Sequence, residues 1–170
     1  MANQQTPLSF KFDVNKSPFF VANSQNYINI AGQKQLNSLE NVSLLDIFLS
    51  NHHIVEPHYH QNAAELVYCI SGAAIVSILN PNTKQFHHYP ITPGQIVQVP
   101  QGWWHYEIAT LDQTHLLAIF DAANPEVILG SDILRLTPPD IMAYTYGMNQ
   151  QLWQQVISPI QSSTYIGPTS

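Results

Sequence analysis

Residues 57–72 read PHYHQNAAELVYCISG, in a chain where only 9% of residues are charged. His58 and His60 are two apart, and Glu65 follows five positions later. Side chains two apart on a strand project from one face, so His58 and His60 point into the same space. Glu65 returns to that space if a turn occupies the intervening QNAA, and Val67 and Cys69 then line the interior below it. Two imidazoles and a carboxylate are a donor set for a first-row divalent cation. The stretch GQIVQVPQGWWHYEIA supplies a fourth donor: a strand after Gly94, a turn at Pro100 and Gly102, then His105 facing back inward. Glu107 shares that face by the same period of two. Burial would raise its pKa and a nearby cation would lower it, a balance suited to a general acid–base group. The alternative role for Glu107 is to accept the N–H of a ligand histidine.

These side chains need a rigid frame. Short apolar stretches recur along the chain: LSFKFDV, NYINIA, VSLLDIFL, AELVYCI, AAIVSIL, QIVQVP, WWHYEIA and THLLAIF. Turn residues separate them at 71–72, 80–83, 92–94 and 100–102. Many short strands at this spacing predict an all-β sandwich or barrel. After Phe120 the pattern changes. PPDIMAYTYG opens with prolines suited to a helix N-terminus and ends on Gly147 as a C-cap, and NQQLWQQVI predicts a second short helix. The division that follows is an N-terminal extension with strands at 1–40, belonging to the same domain, a barrel at 41–122, a helical segment at 123–158 and a tail at 159–170. The tail has no periodicity and is either a loose end or an arm on a neighbouring subunit.

Taken together, the two histidine segments resemble the motifs of the cupin family. The first motif is matched by His58, His60, Glu65 and Gly72, although its leading glycine is missing around Asn51 and His52. The second is matched by Gly94, Pro100, Gly102 and His105, with Ala109 where an asparagine is expected. The resemblance implies a double-stranded β-helix, the cupin jelly-roll barrel, with short C-terminal helices. FKFDVNKSPFF, EPHYH and FDAANPEVILGSDILRLTPPDIMAYTYG are similar to one half of the two-domain oxalate decarboxylases, and the spacing before Glu65 is shared with the germins.

That subgroup implies manganese at His58, His60, Glu65 and His105, although the donors suit iron, nickel or zinc as well. It implies a small carboxylate such as oxalate as substrate. Glu126 would be a proton carrier on a lid after the barrel. One departure weighs against oxalate: Val55 stands where those enzymes carry an arginine or asparagine that holds the substrate, and valine has no donor. Val55, Trp103 and Trp104 are expected to line the substrate pocket, with Tyr68 and Gln98 as further wall candidates. They favour a second reading, a dioxygenase-type cupin acting on a more apolar substrate. A third is a binding or storage cupin without turnover. The resemblance also implies a homo-oligomer.

Composition narrows the partners. The 170 residues hold five Lys plus Arg against eleven Asp plus Glu, for a net charge of −6. Such a chain has little electrostatic hold on nucleic acid or an anionic membrane. No apolar run reaches bilayer-spanning length, and the N-terminal residues show no signal-peptide pattern. The expectation is a cytoplasmic protein. One cysteine, Cys69, allows no intramolecular disulfide.

Overall fold

The computed structural model describes residues 6–169. In chain order the strands are β1 (Pro18–Val21), β2 (Tyr27–Ala31), β3 (Ser43–Leu49), β4 (Ile54–Tyr59), β5 (Glu65–Ser71) and β6 (Ala74–Asn80). There follow β7 (Gln85–Ile91), β8 (Ile96–Val99), β9 (His105–Ala109), β10 (Thr114–Phe120) and β11 (Ile128–Leu129). Three helices come next, α1 (Gly130–Leu136), α2 (Pro139–Tyr146) and α3 (Gln150–Ile157), and then β12 (Ile166–Gly167). The first sheet runs β1-β2-β3-β10-β5-β8 and the second β11-β4-β9-β6-β7, with β12 added beside β4. All pairings are antiparallel.

The period-two pattern decides which face of each strand is buried. Along β10, Thr114, Leu116, Ala118 and Phe120 point in. Along β5, Glu65, Val67 and Cys69 are buried while Leu66 and Ile70 are exposed. The inward faces of both sheets meet in a core whose centre, including Val67, Cys69, Val76, Ala109, Leu116 and Ala118, is fully buried. Removing this apolar surface from water is what holds the two sheets together.

The turns follow the motif residues. Gly72 has φ +73°, and a Cβ there would lie 2.5 Å from Thr114 Oγ1 and 2.6 Å from its Cα. Where the motif's leading glycine is missing, His52 itself takes φ +65°. The turn therefore survives the substitution, at the cost of a conformation that a side chain disfavours. Ala109, where the motif has asparagine, is tied to the same turn through its backbone: its N–H donates to His53 O and its carbonyl accepts from His52 N, both at 2.9 Å.

Two expectations need correction. LSFKFDV forms no strand: residues 8–12 have no regular structure, and Leu8 and Phe10 are mostly exposed because no neighbouring strand pairs with them. The tail is not a loose end throughout: Ile166 pairs with Val55 and Gly167 with Ile54. The two expected helices form, α2 closing on Gly147 at φ 65° and α3 capped by the Asn149 side chain. α1 lies within the expected helical segment at 123–158, ahead of the two helices picked out there.

Candidate metal centre

The second sheet places three imidazoles. β4 and β9 set His58 opposite His105 and Val55 opposite Glu107. The register shifts between Val55 and His58, so both face inward although they are three apart. His60 lies just past the end of β4, and its carbonyl accepts from Gly102 N at 2.9 Å, which ties it to the turn before His105. The first sheet supplies the carboxylate: Glu65 opens β5, opposite Phe120 on β10 and Val99 on β8. Phe120 packs edge-on against the His60 ring at 4.7 Å.

Ligand atoms of His58, His60, Glu65 and His105 all lie within 4.8 Å of one another, and all four residues are buried. Each imidazole is aimed by a backbone carbonyl. Nδ1 of His58 donates to Glu56 O at 2.7 Å, of His60 to Glu126 O at 2.9 Å and of His105 to Trp103 O at 2.9 Å. A carbonyl only accepts, so each Nδ1 carries a proton and each Nε2 is turned toward the centre. This is the outer support that metal-ligating histidines require. His60 Nε2 is buried without a hydrogen-bond partner. A first-row cation with donors at about 2.0–2.2 Å fits this set after a small contraction.

Charge is unevenly shared in the cluster. Burial opposes ionisation of Glu65, but the hydrogen bond from His105 and the close His60 imidazole, 3.4 Å away, outweigh it and hold its carboxyl well below the usual range. Burial also opposes protonation of His105. Its 2.9 Å hydrogen bond to Glu65 and the charges of Glu107 and Glu65 prevail, and its pKa is held up at about 9. Burial, with the His105 charge, keeps His58 well below the usual histidine range. Burial pushes Glu107 up to about 8; His105 opposes this and Glu65 reinforces it. Loading a cation therefore requires His105 to surrender its Nε2 proton.

Residues 12–152 match the profile of the cupin family. The chain is a cupin. In structure it resembles oxalate decarboxylase from Bacillus subtilis, with a TM-score of 0.80 at 23% identity over 96% of this chain and 42% of that one. It also resembles the coconut allergen cocosin, with a TM-score of 0.79 at 21% identity over 91% of this chain and 42% of that one. In sequence it is similar to glutelin type-A 2 of Oryza sativa subsp. japonica, 27% identical over 140 residues, covering 79% of this chain and 26% of the relative. Legumin type B of Vicia faba is 29% identical over 99 residues, 58% of this chain and 20% of that protein. The cupin thus spans about a fifth to two-fifths of the proteins named.

Beside the cluster this cupin encloses a cavity of about 70 Å³. Its wall is mostly apolar, drawn from Ile28, Ile47, Val55, Phe120, Val127 and Leu129 among others, with His58, His60, Glu65, Glu107 and the Tyr165 phenol as its ionisable groups. Glu107 faces this cavity and is 1% exposed; neither carboxyl oxygen has a hydrogen-bond partner, and Oε1 stands 3.6 Å from His105 Nε2. It does not hold a ligand Nδ1, since backbone carbonyls take all three.

Val55 lines the cavity, but the tryptophans do not. Trp103 packs on the core from a groove beside Ile78 and Tyr89, and Trp104 lies in another groove against Gly130 and Glu56. Tyr68 and Gln98 also lie outside the cavity wall, Gln98 on an exposed position. The segment after the barrel does cover the cavity, through Pro125 and Val127. The Glu126 side chain is turned outward, where its Oε2 accepts from Gln61 Nε2 at 2.9 Å. Glu126 contributes to the site through its carbonyl, as the acceptor that aims His60. Sequence reading also missed Phe19 and Tyr165, brought to the cavity from the two ends of the chain. It missed the role of the buried Glu56. The one signal available for Glu56 was an acid two residues before a ligand histidine.

Proposed function

We propose that this cupin is a metal-dependent enzyme acting on a small substrate. His58, His60, Glu65 and His105 hold a divalent cation, and Glu107 handles the proton. The observation that carries this reading is the convergence of four buried ligand atoms within 4.8 Å, beside a Glu107 carboxyl with no partner. A buried polar group left unsatisfied costs about 1–3 kcal/mol. A purely storage role makes no use of so costly a cluster. When bound, a divalent cation supplies a Lewis acid with open positions for a substrate oxygen. Manganese is the metal that the family resemblance favours, with iron, nickel and zinc sharing the donor set. Around it the chain positions the three Nε2 atoms through backbone carbonyls, excludes water with an apolar wall, and offers the Glu107 carboxyl as a proton donor or acceptor.

The wall defines the substrate. No arginine or lysine lines the cavity among the described residues, and Val55 is one of its sides. A ligand with one anionic oxygen on the cation and an otherwise apolar body fits best, as in a dioxygenase-type cupin. Oxalate decarboxylation or oxidation is the second reading, favoured by the cavity's small volume of about 70 Å³. Oxygen uptake by the Mn²⁺ and Fe²⁺ forms across small apolar acids and enols, with CO₂ and H₂O₂ release from oxalate in parallel, separates the two. Metal-dependent turnover of an apolar substrate is expected. Absence of turnover of every substrate by the metal-loaded protein would leave a binding or storage role.

A further inference from the structure

The segment just before β12 borders the cavity. Tyr165 lines it beside Phe19, and the two rings meet edge to face with centroids 4.9 Å apart at 72°. Phe20 packs on Tyr165 from 5.4 Å. Phe19 belongs to β1, the edge strand of the first sheet, whereas Tyr165 immediately precedes β12 on the second. An aromatic contact therefore joins the two sheets where no backbone ladder does.

Beyond Tyr165 the arm is anchored by Ile166, whose side chain is buried in the core, but its backbone pairing is short. β12 has only two residues. Tyr165 and Ser163 take φ values of 50° and 54°, a left-handed region that side chains disfavour. At Tyr165 itself the tether is one buried carboxylate. Glu56 Oε1 accepts from Tyr165 N and from Ser131 Oγ, both at 3.0 Å, and Oε2 accepts from Ser131 N at 2.9 Å. Glu56 N in turn donates to Tyr165 O at 2.8 Å. The same residue's carbonyl aims His58, so latch and ligand share one peptide segment.

We propose that Tyr165 is the gate of the cavity and Glu56 its latch: the Tyr165 ring bars the way to His58 and His60, and substrates larger than the closed cavity enter only when the arm swings out. Gating deepens the metal-enzyme reading because it concerns entry to the same cavity, but it is testable in the full-length chain without metal. The probe is diethyl pyrocarbonate, which acylates neutral imidazole nitrogen, with sites mapped by peptide mass spectrometry. Exposed His87 is the internal standard, and fully buried His105 reports global unfolding.

Tyr165→Ala should speed acylation of His58 and His60 about tenfold relative to His87, because a local opening no longer has to precede reaction. Tyr165→Phe should keep the wild-type rate. Glu56→Gln, which keeps shape and backbone but weakens the acceptor, should give a smaller rise. If Tyr165→Ala does not fold, Glu56→Gln decides the matter alone. Wild-type rates in folded Tyr165→Ala and Glu56→Gln overturn the gate. A protein that binds no metal yet shows the accelerations loses the metal reading and keeps the gate.

Discussion

His58, His60 and His105 each spend Nδ1 on a backbone carbonyl and turn Nε2 inward. That division of labour explains why the four clustered donors were legible in the sequence: spacing on strands fixes the face, and carbonyls that any residue can supply do the aiming. Glu126 shows the limit of such reading, because its carbonyl matters and its carboxylate does not reach the cavity. Glu107→Gln should retain metal and lower kcat by about 10²–10⁴; full activity in that variant would remove Glu107 from the chemistry. Proton linkage gives a second expectation. Glu65 is held below its free value of 4.5, so its stabilising contribution is present above that pH and is lost as pH falls. His105 is raised from 6.5 to about 9, so its contribution is complete below 6.5 and lost as pH rises to 9. Glu107, raised from 4.5 to about 8, ionises more easily when unfolded and also weakens the fold as pH rises through that range. The melting temperature of the metal-free protein should therefore decline from pH 6.5 to 9. The increase given by Mn²⁺ should grow over the same range, as His105 sheds the competing proton. Thermal melts with and without Mn²⁺ check this, and an increment that shrinks with rising pH contradicts it.

At the scale of elements, alternation made most of the barrel readable, and the failures have local causes. β7 escaped notice because most of QFHHYPI is exposed and polar residues interrupt its apolar positions. LSFKFDV alternates like a strand but finds no partner. The register shift in β4 breaks the period of two, so Glu56 is buried beside Val55 and its role could not be foreseen. Trp103 and Trp104 were misplaced because adjacent residues on the approach to β9 pack outside the barrel, in two different grooves. Gly72 belongs to the motif for a steric reason. Gly72→Ala forces a side chain onto Thr114 at positive φ and should destabilise the fold by more than about 1 kcal/mol. Chemical denaturation measures that loss, and an unchanged midpoint would refute the close approach.

Over the whole molecule, two sheets contribute unequal parts of one site, three imidazoles from one and a carboxylate from the other. Separating the sheets dismantles the cluster, so binding of a cation there would be thermodynamically coupled to folding. The two ends of the chain meet over the cavity, a contact that sequence reading had no way to see because it joins residues 19 and 165. Outside the barrel the helices leave Leu136, Tyr144, Leu152 and Val156 exposed. Burial of that surface against a second copy would satisfy the self-association expected of the family. Sedimentation should show a species heavier than 19.1 kDa, and a strictly monomeric profile over a wide concentration range would contradict it. The most direct test of the metal centre is elemental analysis of the purified wild-type protein beside His58→Ala, Glu65→Ala and His105→Ala. Near one equivalent of a divalent first-row metal in the wild type and a sharp loss in each folded variant is the expected result. Equal metal content in all four proteins would contradict it.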